Sequence, residues 1–125
     1  MGGVNRGDKQ SLGRWGEEQA EAHLTGKQFQ VLFRNFRTPY GEIDLVCLDQ
    51  TELVFVEVKT RSSTRYGNPE AAVTEKKLGH LIQSAEVFLQ DHPDYSCAWR
   101  VDVVAILTDD LKTVKEIIHF ENVTH

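Results

Sequence analysis

Proline and cysteine are both scarce in this chain, with three prolines and two cysteines among 125 residues. So few prolines leave room for uninterrupted helices and strands, and they exclude collagen-like and proline-rich linker compositions. Cys47 and Cys97 form no CxxC and no Cys/His pairing with zinc-site spacing. Both sit in strand-like apolar surroundings and are expected to be reduced, packed thiols. Long apolar runs are missing too. Even Leu53 to Val58 is interrupted by Glu57, whereas a membrane span needs roughly 18 to 20 apolar residues. The N-terminal MGGVNRGDKQ lacks the apolar centre of a signal peptide. The expectation is a soluble protein, cytoplasmic by default, with no membrane partner. Positive charge is also in short supply: 14 Lys and Arg face 19 Asp and Glu, a net charge of −5. That balance argues against a strongly basic nucleic-acid coat protein, so any phosphate binding has to be local.

What is present is an ordinary globular composition, 40% hydrophobic and 26% charged. At this length one domain is the default, expected over residues 11–125 after a disordered start at residues 1–10. The charge is unevenly spread. Lys27, Arg34 and Arg37 occur without an acid between them, and Lys59, Arg61, Arg65, Lys76 and Lys77 outnumber the three acids between Glu57 and Lys77. Taken alone, such fluctuation describes a solvated surface.

Ser11 to Thr25 has helical composition and Gly26 supplies a stop. Phe29 to Phe36 reads as a strand, followed by the turn residues Thr38-Pro39-Tyr40-Gly41. Ile43 to Leu48 and Leu53 to Val58 form a hairpin pattern around Asp49-Gln50-Thr51-Glu52, with a four-residue loop expected because Gln-Thr is not a favoured two-residue turn. Arg61 to Asn68 reads as a polar loop ending at Pro69. Val73, Leu78, Leu81, Ile82, Ala85, Phe88 and Leu89 then fall at helical spacing until His92-Pro93. Trp99 to Leu107 and Val114 to Phe120 are two further strands, separated by a turn at Asp109-Asp110. The order is helix, three strands, helix, strand, strand. Leu53 to Val58 is apolar on both alternating faces, which marks a central strand covered on both sides in a layered α/β fold.

A charge within such a strand is costly unless paired or bound to a cation. Register brings the charged residues of the hairpin together. If the strands pair symmetrically about Gln50-Thr51, Asp44 lies opposite Glu57 and Lys59 shares their face. Two adjacent carboxylates repel unless one is protonated or a cation lies between them. Oxygen ligands with open positions suit Mg²⁺ or Mn²⁺, and a neighbouring lysine can position or deprotonate an attacking water. Metal-assisted phosphodiester hydrolysis fits these parts; a surface hairpin with a charged rim is the plain alternative. On the first helix, Gly13, Glu17, Ala20 and Leu24 form one stripe towards the sheet, while Glu18 aligns with Arg14 and Glu21 on a solvated face. Glu17 is therefore the better candidate for a third ligand, against the plain reading of a glutamate at a helix border.

The segments GRWGEEQAEAHL, RNFRTPYGEIDLV, LVFVEVKTRSS, VTEKKL and WRVDVVAI, in this order, resemble the YraN-type family of bacterial proteins over roughly Leu12 to Leu107. The resemblance implies membership of the PD-(D/E)XK nuclease superfamily, with a restriction-endonuclease-like core of helix, three strands, helix and strand around a mixed sheet, similar to archaeal Holliday junction resolvases. It places the catalytic and metal-binding roles on Glu17, Asp44 and Glu57, with Lys59 as the catalytic lysine. It also points to Lys77 at the start of the second helix for phosphate contact. Lys76, Arg61 and Arg65 are further candidates for the nucleic-acid backbone. Arg100 and Asp102 match a family position that reads most simply as an Arg-Asp pair closing a strand edge. Val101 stands where the family often has an aromatic, a change expected to affect packing only.

His23, His80, His92, His119 and His125 have no metal-ligand spacing and are expected at the surface or on helix flanks. No GxSxG elbow, phosphate loop or exposed row of stacking aromatics is present. Two readings stand: a Mg²⁺- or Mn²⁺-dependent endonuclease acting on DNA, with branched DNA a candidate substrate and a homodimer plausible for paired cuts, and a non-catalytic module that uses the same fold to bind nucleic acid or protein.

Overall fold

The computed structural model describes residues 4–62, 73–109 and 113–124. Seven elements succeed one another: α1 (Val4–Gly26), β1 (Gln30–Thr38), β2 (Gly41–Asp49), β3 (Glu52–Arg61), α2 (Glu75–Asp91), β4 (Trp99–Thr108) and β5 (Val114–Phe120). This is the expected order. The strands form one sheet in sequential order, antiparallel throughout except where β3 and β4 run parallel. Parallel neighbours need a long crossover, and α2 provides it. The fold is α/β with a mixed central sheet, consistent with a restriction-endonuclease-like core.

Both faces of the sheet are covered. Ala20 and Leu24 of α1 pack with Leu45, Cys47, Val54, Val56, Val104 and Ile106, while Leu81, Ala85 and Phe88 of α2 pack with Val46, Leu53, Phe55 and Val101. Residues 53–56 thus alternate between two apolar layers, which is why their sequence reads as an unbroken apolar run. The α2 side is aromatic: Phe88 lies at the centre of edge-on contacts with Phe33, Phe36 and Phe55, and His92 stacks on it. Trp15 packs against the α1-side core and Trp99 against the other.

Two boundaries differ from the sequence expectation. The first helix starts at Val4 rather than Ser11. VNRGDKQ contains no proline, and an existing helix propagates more cheaply than it nucleates. The β2–β3 loop has two residues, not four: Asp49 pairs with Glu52, and Gln50 takes a left-handed φ of 57°. Arg100 supports this tight turn from the neighbouring strand. Its Nη1 donates to Glu52 Oε1 at 2.7 Å and its Nη2 to Asp49 Oδ2 at 3.2 Å, so both residues flanking the loop are held by one guanidinium.

Arg100 and Asp102 do form a pair, with Arg100 Nε donating to Asp102 Oδ1 at 2.9 Å, but its setting is interior rather than an edge. Asp102 is fully buried and also accepts from the Asn122 backbone N–H, while its Oδ2 lies 2.7 Å from His119 Nε2. Burial pushes the Asp102 carboxyl up, but the hydrogen bonds from His119, Arg100 and Asn122 outweigh it and hold the group below its ordinary value. Burial likewise works against the charge on Arg100, and its carboxylate partners more than restore it. His119 is therefore not the surface residue its spacing suggested. Its side chain is buried on β5, with Nδ1 2.7 Å from Lys27 Nζ. This network joins the β2–β3 turn, β4, β5 and the end of α1.

Candidate metal centre

From Asp49–Glu52 to Leu45–Val56, β2 and β3 pair in the register that the symmetric hairpin requires. The next pair in that register, Asp44 with Glu57, is not made. β3 continues on β4 as far as Arg61, and β2 continues on β1 as far as Gly41, so the sheet forks between β2 and β3. Asp44 occupies the fork, its Oδ2 accepting from the Val58 backbone N–H at 2.8 Å. A side-chain carboxylate thus takes a donor that a continued ladder would have used. The irregularity extends to β1. Asn35, between the paired residues Arg34 and Phe36, has a left-handed φ of 53°. The apolar layers record the same break, since Leu45 belongs to the α1-side core and Ile43 to the α2-side core, although residues two apart share a face in a regular strand.

Helix α1 reaches the fork through a close approach. Gly16 is buried against Thr60, and a Cβ at Gly16 would lie 1.9 Å from Thr60 Oγ1. The next residue, Glu17, is thereby set beside β2. Carboxylate oxygens of Glu17, Glu42 and Asp44 all lie within 4.8 Å of one another. Asn35 Nδ2 donates to Glu17 Oε1 at 3.0 Å and reaches Glu42 Oε1 at 3.5 Å, which orients the two outer acids. The three acids line a cavity of about 440 Å³ together with Glu57, Lys59 and Lys77.

Burial first, and the Glu57 charge second, push the Asp44 carboxyl up to about 7; Glu17 and Glu42 add to this, and the Val58 hydrogen bond opposes it. A half-buried carboxyl surrounded by three others is therefore balanced between protonation and pairing with a cation near neutral pH. The donor set is all oxygen and anionic, which fits a hard divalent cation such as Mg²⁺ or Mn²⁺ and not a thiol- or imidazole-bound one.

Of the site residues expected from sequence, Glu17, Asp44, Glu57, Lys59 and Lys77 all line this cavity. Glu57 is buried but lies outside the three-acid cluster; its Oε2 is 3.3 Å from Lys59 Nζ and 3.4 Å from Lys77 Nζ. Lys77 is fixed by the start of α2, where the Thr74 side chain accepts from the Lys77 backbone N–H at 3.1 Å. Lys76 is exposed at the same helix start, and Arg61 is half-buried at the end of β3; neither lines the cavity. Arg65 and most of the polar loop from Arg61 to Asn68 lie outside the described residues, as do Asp110 and His125. Sequence reasoning missed Glu42. Its signal was present in Gly-Glu-Ile-Asp, since residues two apart on a strand share a face with each other.

A forked mixed α/β sheet with acids gathered at the fork defines a class of fold with a candidate cation site. Within it, residues 16–106 match the model of the uncharacterised protein family UPF0102. The chain belongs to that family. It is 50% identical over 102 residues to a UPF0102 protein of Syntrophomonas wolfei, covering 82% of this chain and 89% of the relative. A UPF0102 protein of Geotalea daltonii is 42% identical over 122 residues, covering 98% of this chain and 95% of the relative. One from Caldicellulosiruptor saccharolyticus is 38% identical over 115 residues, 92% and 98% of the two chains. Among the described residues no helix is long and apolar enough to cross a membrane.

Proposed function

We propose that this protein is a divalent-metal-dependent endonuclease of the PD-(D/E)XK type, hydrolysing phosphodiester bonds in DNA, with branched DNA among its substrates. The observation that carries the reading is the fork: three carboxylates within 4.8 Å of one another and two lysines line one cavity. Glu17, Glu42 and Asp44 would hold Mg²⁺ or Mn²⁺, and Glu57 borders the same cavity. The cation would supply charge neutralisation at phosphorus and a more acidic water. Lys59 places a donor where a water or phosphate oxygen would sit, and Lys77 adds a second cation for a non-bridging oxygen. Glu57, ion-paired with both ammonium groups, would hold them at the cavity they line. Paired cuts across a branched duplex would use two copies of the chain. The net charge of −5 implies modest, strongly salt-dependent DNA affinity.

The test is cleavage of labelled four-way junction, flap, single-stranded and duplex DNA at low salt with Mg²⁺ or Mn²⁺, comparing wild type with Lys59→Ala. Cleavage by wild type that slows by about a hundredfold or more in Lys59→Ala supports the assignment. DNA binding with no turnover by wild type would replace the enzyme with a binding module on the same fold.

A further inference from the structure

Next to the acid cluster, the β1–β2 turn carries a side chain that the fold leaves uncovered. Tyr40 is 46% exposed, the only exposed large apolar side chain among the described residues. Its turn is nonetheless held firmly. Thr38 Oγ1 accepts from the Tyr40 backbone N–H at 3.0 Å, donates to the Gly41 carbonyl at 3.0 Å, and lies 2.8 Å from the buried Ser84 Oγ of α2. With one proton on the Thr38 hydroxyl, Ser84 is the donor to it, so a buried group fixes the turn from below. Pro39 limits the backbone further. An exposed aromatic on a locked turn loses little conformational freedom on binding, which is the property of an anchor residue.

Its position names the ligand. Tyr40, Glu42, Lys77 and His80 line a small cleft, and Glu42 and Lys77 also line the acid cavity, so the two adjoin at these residues. We infer that Tyr40 is a stacking platform for an unpaired base of the nucleic-acid strand whose phosphate enters the acid cavity. This rests on the nuclease reading and sharpens it: the substrate presents at least one unpaired nucleotide beside the scissile phosphate, as gaps and flaps do and a continuous duplex does not. Lys77, at the meeting of the two clefts, is placed for the phosphate between that base and the acids.

The test uses the full chain with Ca²⁺ in place of Mg²⁺, to hold DNA uncut, and a 2-aminopurine base placed either in a single-stranded gap or paired in a duplex. Wild type and Tyr40→Phe are expected to quench the gapped probe and bind it alike, whereas Tyr40→Ala binds it about tenfold more weakly. Affinity for the fully paired probe is expected to agree within about twofold across all three proteins, because phosphate contacts alone hold it. Tight binding of gapped DNA by Tyr40→Ala would overturn the stacking role while leaving the nuclease reading in place. No binding of either probe by any of the proteins would overturn both.

Discussion

Asp44 is the residue on which the site's electrostatics turn. Its carboxyl is raised from an ordinary 3.8 to about 7, by burial and then by Glu57, so without metal it loses its proton in the unfolded chain well before it does in the folded one. The stability this confers is complete below about pH 4 and is lost as pH rises to about 7. Asp44→Asn keeps an acceptor for Val58 and removes the charge. In a chelator at pH 8 it is expected to raise stability by roughly 1 to 3 kcal/mol, with little change at pH 4. Urea melts at the two pH values measure this, and equal stability of variant and wild type at pH 8 would refute the strained-carboxylate account. Glu42→Gln provides a second residue-scale check. It should weaken Mn²⁺ binding by about tenfold or more with the fold unchanged, and intact affinity would return Glu42 to the role of a rim residue.

At the scale of elements, the approach of α1 to β3 sets the position of Glu17. Gly16→Ala puts a methyl group into Thr60, a β-branched side chain with little freedom to yield, and should cost about 1 to 3 kcal/mol while weakening Mn²⁺ binding. Gly13→Ala, on the same helix with no atom within 4 Å of the added carbon, should instead stabilise by about 0.5 to 1 kcal/mol. Thermal melts of the pair separate packing from helix propensity; a neutral Gly16→Ala would mean that the contact is not tight. The elements themselves were legible because each has its own periodicity, down to β5 at Val114–Phe120. Register was legible as well, up to Leu45–Val56. The fork was not, because a strand pattern carries no mark of where two strands separate. Symmetric pairing therefore placed Asp44 against Glu57 and overlooked Glu42, and the two-residue turn at Gln50 depended on an arginine some 50 residues away in sequence.

In the whole molecule, two carboxyls shifted in opposite directions set the pH range. Asp102 is held below its ordinary value by His119, Arg100 and Asn122 against the opposing effect of burial, so its stabilisation is present above about pH 4 and is lost as pH falls through its folded value. With the Asp44 contribution falling between about pH 4 and about pH 7, these two groups together make the metal-free protein most stable near pH 4, with stability declining on either side. Asp102→Ala removes the buried acceptor shared by Arg100 Nε, His119 and the Asn122 N–H, leaving Arg100 only Asp49 and Glu52, and should cost about 3 kcal/mol by denaturant melts. A loss below about 1 kcal/mol would show that the network does not hold the sheet together. His119 escaped sequence reasoning because a lone histidine on an amphipathic strand gives no sign of a buried partner on the adjoining strand.

All of the functional reasoning depends on a cation among Glu17, Glu42 and Asp44, and calorimetry of Mn²⁺ binding in buffers of different ionisation enthalpy tests it most directly. At pH 6 wild type should bind Mn²⁺ with release of about one proton, falling towards none at pH 8, because the metal displaces the proton Asp44 holds below about 7. Asp44→Asn should lose the binding. Absence of Mn²⁺ binding by wild type, or unchanged affinity and proton release in Asp44→Asn, would contradict the metal centre.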